Sequence, residues 1–148
     1  MLRRVWPVLL ATLAVVLGIG CALGYVRPDL KWTPYSAAFL VINLLFTCVT
    51  EEAFFRGFLL EHMARLFRRW RAGTVAAGVS SAVLSAVLFG LAHARGGAPL
   101  VLLATIAGLF YGAAYLRTRR IEGAILTHFA LNAVHFLAFT YPALAGGS

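Results

Sequence analysis

Three small clusters of polar residues interrupt long apolar runs. They are Glu51, Glu52 and Arg56 in TEEAFFRG, His93 in FGLAH with the apolar Phe89 one turn before it, and His128, Asn132 and His135 in THFALNAVH. An ionisable side chain at the centre of a membrane helix costs about 2.5 to 3.5 kcal/mol even on the lenient insertion scale, so each demands a compensating role. Taken singly, each has a plain structural reading. A buried Glu/Arg pair commonly fixes packing or topology, and a lone membrane histidine commonly bonds a backbone carbonyl. Their convergence suggests more: a carboxylate, imidazoles from two other segments and an amide are the acid/base and oxyanion parts that amide hydrolysis needs.

Helical spacing sorts these residues. Adjacent positions diverge by about 100 degrees on a helix, so Glu51 and Glu52 cannot serve one point equally. Glu52 and Arg56 are at i and i+4 with the acid N-terminal, the favourable order for an ion pair. One glutamate is then neutralised and the other is left free. His128 and Asn132 also stand at i and i+4, with His135 one further turn along the same face.

The elements that must position them are membrane spans. Of 148 residues, 61% are hydrophobic and 12% charged, with a mean hydropathy of +0.87, far outside the range of soluble domains. Apolar segments run at about 5–24, 35–64, 74–93, 99–116 and 121–141, each close to the roughly 20 residues a spanning helix needs. The sequence therefore predicts an all-α, polytopic bundle of about five transmembrane helices. It forms a single membrane domain over residues 1–148, with a motif-bearing core at about 35–141 preceded by one helix. A cleaved signal at the amino terminus is disfavoured, because Gly18, Ile19 and Gly20 before Cys21 match a lipoprotein cleavage box poorly. Cys21 and Cys48 stand singly and support neither a disulfide framework nor a zinc knuckle.

The net charge of +8 comes from short arginine clusters between spans, which read as topology signals and not as a nucleic-acid surface. Arg3 and Arg4, then Arg65, Arg68, Arg69 and Arg71, then Arg117, Arg119 and Arg120 fall on one side if all five segments span. The amino terminus is thus expected in the cytoplasm and the uncharged carboxyl terminus outside. Thr33 with Pro34, and Pro99, mark helix starts. Gly108 and Gly112 form a GxxxG spacing, and Ala77, Ser81 and Ser85 a small-residue ridge, both suited to close helix contact.

EExxxR, FxxxH and HxxxN, in that order on successive hydrophobic segments, resemble the CAAX prenyl protease type II and bacteriocin-processing family of intramembrane endopeptidases, called CPBP or Abi. The likeness covers roughly residues 40 to 140 and includes the approach to the third motif, YLRTRRIEGAILTHFALN. The resemblance implies a peptidase in which Glu51 activates water, His93 assists or holds it, and His128 with Asn132 stabilises the oxyanion. Glu52 with Arg56 would be the supporting pair, with Phe89 packed beside His93, and His135 a candidate for the cavity lining. No cofactor is favoured; zinc on Glu51, His93 and His128 is the alternative, and there is no HExxH. The implied partners are membrane lipid and a membrane-associated peptide or protein substrate, with no nucleic acid. The place is a multi-pass position in what composition suggests is a bacterial plasma membrane. Larger family members carry more helices before the first motif, so this chain is either a minimal version or one completed by a homo- or hetero-oligomeric partner.

Two other function classes compete: a non-catalytic binding or bacteriocin-immunity scaffold of the same fold, and a small proton or ion transporter, which would space its polar groups across the membrane instead of clustering them. One geometric difficulty is visible in advance. Counted from the arginine side, Glu51 lies about 20 Å deep, His93 nearly 30 Å and His128 about 12 Å. Tilt, an early start to the fifth segment or a break near Gly90 would have to close that gap.

Overall fold

The computed structural model describes residues 1–70 and 73–142; Arg71 and the end of the uncharged tail lie outside them. Among the described residues five helices are long and apolar enough to cross a membrane: α1 (Leu2–Ala22), α2 (Ser36–Arg69), α3 (Thr74–Ala92), α4 (Ala98–Thr118) and α5 (Ile121–Ala138). α4 is the most buried and lies against α1, α3 and α5, while α2 closes a ring by packing on α3 and α5. α1 covers the α4/α5 side. The outward faces carry Phe46, Phe54, Phe58, Val79 and Val83, an apolar surface that suits lipid, with Trp32 and Trp70 exposed at opposite ends.

The tightest contact joins α3 and α4, and small residues make it possible. A Cβ on Gly108 would sit 3.1 Å from the Ala86 Cα, and one on Gly112 would sit 3.2 Å from the Ala82 Cβ. Close backbone approach of this kind stabilises membrane helix pairs through dispersion where no hydrophobic driving force exists. Farther along the same interface, Gly90 faces the Val101 carbonyl and Thr105.

α2 is wound unevenly. Its buried stripe runs Glu52, Arg56, Leu60 and Ala64 at strict i+4 spacing. Wide turns with i to i+5 character occur at Asn43–Cys48 and Ala53–Leu60, on either side of the Val49–Glu52 turn that holds the glutamates. The helix starts beyond a Thr33–Ser36 turn in which the Thr33 amide donates to Ser36 Oγ at 2.9 Å, the backward half of a capping box.

α5 ends at Ala138, three residues earlier than expected, because the chain turns into a two-residue strand. Phe139–Thr140 pairs antiparallel with Arg27–Pro28. The amides of Asp29 and Lys31 donate to the Ala138 and Leu137 carbonyls at 2.8 Å each, giving orphan carbonyls of the helix end their partners. Lys31 Nζ donates to the Phe139 carbonyl at 2.6 Å. This ribbon caps the bundle on the side away from the arginine clusters, with Arg27 in its own first strand.

Candidate active site

α2 and α5 set the first two walls. The position of Gly57 is level with Ile121, since a Cβ on Gly57 would lie 3.5 Å from Ile121 Cδ1. Moving away from the arginine side, Glu51 lies about 9 Å from that level and His128 about 10 Å, so the two meet. The depth mismatch expected from the sequence came from a common starting plane that the helices do not share. α2 overhangs the start of α5 by more than two turns and continues to Arg69, whereas the expected boundary was about residue 64. α5 does not start early, and α3 runs unbroken through Gly90 to Ala92.

The two glutamates have different surroundings. Glu52 and Arg56 are fully buried, with Arg56 Nη1 donating to Glu52 Oε1 at 3.1 Å. Arg56 Nη2 donates to the Gly108 carbonyl at 2.8 Å, an approach that side-chain-free Gly108 leaves open. The guanidinium also lies 4.9 Å from the Phe89 ring centroid and 5.3 Å from that of Tyr111, a cation–π setting in a dry interior. Glu52 Oε1 accepts a second bond from His128 Nδ1 at 2.9 Å, so Glu52 joins α2 to α5 as well as to Arg56.

Glu51 faces the cavity. Its ion-pair partner among the described residues is His128, whose Nε2 lies 4.0 Å from Glu51 Oε2, and that buried oxygen, like Glu52 Oε2, accepts no hydrogen bond among them. His128 is held from three sides: Nδ1 by Glu52, one face by the Tyr111 ring stacked at 4.6 Å, and the Phe89 ring edge-on at 5.7 Å. Its Nε2 is the atom left for chemistry. His93 is the residue at which α3 ends. Its Nδ1 donates to the Phe89 carbonyl at 2.8 Å, which leaves Nε2 as an acceptor, and its ring packs on Phe89 at 4.8 Å.

A cavity of about 300 Å³ connects these groups, with Glu51, His93, His128, Asn132 and His135 all on its lining. Glu52 and Arg56 lie behind the wall. All five helices contribute: Val16, Leu17 and Gly20 come from α1, Leu103 and Ala107 from α4, and Tyr25 and Tyr141 from either end of the capping ribbon. His135 packs on Tyr141 at 4.8 Å, and its buried Nε2 has no partner among the described residues. His62, by contrast, is exposed and stacks on Phe58.

Among the described residues, no three His, Cys, Asp or Glu side chains stand in a geometry that would hold a metal ion. The set Glu51, His93 and His128 lines one cavity without converging on one point.

Two neighbours, Tyr111 and Asn43, and one contact, that of Glu52 with His128, were not anticipated. Tyr111 forms the stacking floor under His128. Glu52 orients that histidine. Asn43 accepts hydrogen bonds from Asn132 Nδ2 and from the Cys48 thiol, both at 3.3 Å. A signal for Asn43 existed, because an amide inside FLVINLLF at eight residues before Glu51 shares its helix face.

Residues 31–134 match the type II CAAX prenyl endopeptidase Rce1-like family, and the chain belongs to it. No curated protein and no solved structure shows a significant match to the chain. Together with five membrane-crossing helices, membership makes this an integral membrane protein and implies an intramembrane peptidase of the CAAX-protease type.

Proposed function

We propose that the chain is an intramembrane endopeptidase that cleaves a membrane-associated peptide with water activated by Glu51. The observation that carries this is the division between adjacent glutamates. Glu52 is committed through Oε1 to Arg56 and His128 and lies behind the cavity wall, while Glu51 stands on the wall of that mostly apolar cavity with its Oε2 4.0 Å from His128 Nε2. In this reading Glu51 takes a proton from water and returns it to the leaving amine, and His93 Nε2 accepts from the same water and orients it. His128, when protonated, donates from Nε2 to the oxyanion and keeps its proton, while Nδ1 donates to Glu52, which stabilises the positive charge of the ring. Asn132, one turn farther on the same wall, supplies an amide to the same oxygen.

The substrate class is a peptide delivered within or at the membrane, with prenylated CAAX termini as the family's namesake. Peptide toxins, signals and C-terminal membrane anchors share the required lipid association. The setting we propose is a bacterial plasma membrane. A binding scaffold of the same fold would have no use for an unpaired intramembrane carboxylate. The purified protein in liposomes is expected to cleave a prenylated CAAX peptide or a single-span membrane peptide, with the rate unchanged by a chelator. Loss of the rate on chelation and its return with zinc would replace the metal-free mechanism by the zinc one.

A further inference from the structure

The Asn43 side chain is 8% exposed, yet it lines the cavity, in the first of the wide turns of α2. A turn with i to i+5 character brings Cys48 under Asn43, where the thiol donates to Asn43 Oδ1 at 3.3 Å. Two donors, the Cys48 thiol and the Asn132 amide, reach Asn43 Oδ1 and set its carbonyl toward that side. Asn132 Nδ2 donates to the same oxygen at 3.3 Å and lies 3.8 Å from Cys48 Sγ. The acceptor end of Asn43 is thus used twice, by two different helices. Its Nδ2 makes no hydrogen bond to a described residue, and Asn43 stands on the cavity lining.

We infer that Asn43 is a further catalytic residue, whose Nδ2 donates to the oxyanion of the tetrahedral intermediate from the α2 wall while its Oδ1 fixes Asn132 on the α5 wall. The inference rests on the hydrolytic reading of the cavity and adds a donor to it. Preorganised donors of this kind act where charge develops, at no reorganisation cost during reaction. With Asn132 Nδ2 turned toward Asn43 and Cys48 in the resting structure, Asn43 Nδ2 is the amide nitrogen already free to serve. Cys48 acts at one remove as a positioning residue.

The test uses full-length protein in detergent and two readouts. In the first, a prenylated CAAX peptide is cleaved by wild type, Asn43→Leu, Asn132→Leu and the double variant. Asn43→Leu is expected to lower kcat by about 10² or more with KM little changed. The double variant is expected to fall well below Asn132→Leu alone, because two donors contribute separately. A double variant equal to Asn132→Leu would overturn the inference and leave Asn43 as a support for Asn132 only. In the second, a phosphinate analogue of the tetrahedral intermediate and the uncleaved peptide are bound to protein carrying Glu51→Gln, where turnover is not needed. Adding Asn43→Leu should weaken the phosphinate at least tenfold and the peptide less than twofold. Equal weakening of both, or no phosphinate binding by either protein, would contradict the role of Asn43. Undiminished cleavage by Glu51→Gln would instead strike the choice of general base and leave the phosphinate comparison standing.

Discussion

The two adjacent glutamates differ in what they touch, and the difference predicts different penalties. Glu52 neutralises a fully buried guanidinium and holds His128, so Glu52→Gln leaves Arg56 as an uncompensated buried charge. Breaking such a pair from one side costs about 3 to 5 kcal/mol, which should appear as a large drop in the midpoint of chemical unfolding in detergent. Glu51→Gln removes no ion pair with a cationic side chain and should change stability by less than about 1 kcal/mol. Equal destabilisation by the two would contradict the division of labour. Much of this was legible in the spacing, because i and i+4 placed Glu52 with Arg56 and left Glu51 over. The bond from His128 to Glu52 was not legible, since it depends on how α2 and α5 are offset along their axes. Tyr111 was hidden for a simpler reason: an aromatic residue within an apolar span carries no mark that its face will meet an imidazole.

At the scale of elements, the site depends on α3 and α4 approaching closely enough for Phe89 and Gly108 to meet Arg56. Gly90 sits at the outer part of that seam, where a Cβ would lie 2.7 Å from the Val101 carbonyl oxygen and would press on Thr105. Gly90→Val is expected to destabilise the protein by about 1 to 3 kcal/mol, through overpacking that the backbone cannot relieve. It should also lower peptidase activity by moving His93, three residues on. An unchanged unfolding midpoint would show that the seam is looser than the structure has it. The spans themselves could be read from hydropathy, and four of the five have limits within about three residues of those expected. The exception is α2, which continues past the apolar run: Ala64 and Phe67 keep one side of its last turns covered, in a stretch that packs on α3, while Arg65 and Arg69 are exposed on the other. Helical periodicity, not mean hydropathy, carried that signal. The capping ribbon is two residues on each side, too short to leave a period-2 pattern.

For the whole molecule, the arginines predict orientation. Arg3, Arg4, Arg65, Arg69, Arg117, Arg119 and Arg120 are exposed at one end of the bundle, and the cavity lining reaches Tyr25 and Tyr141 toward the other. With Cys21 replaced by serine and Cys48 buried, Trp32→Cys should react with a membrane-impermeant maleimide on intact cells, and Trp70→Cys only after permeabilisation. The reverse pattern would invert the topology and place the cavity toward the cytoplasm. The most direct test of the central claim is cleavage of a membrane peptide by the purified protein, comparing wild type with Glu51→Gln at matched, verified folding. The account predicts that Glu51→Gln lowers kcat by at least 10² while still binding the peptide. Wild-type cleavage rates in Glu51→Gln would contradict it and return the polar cluster to a binding or structural role.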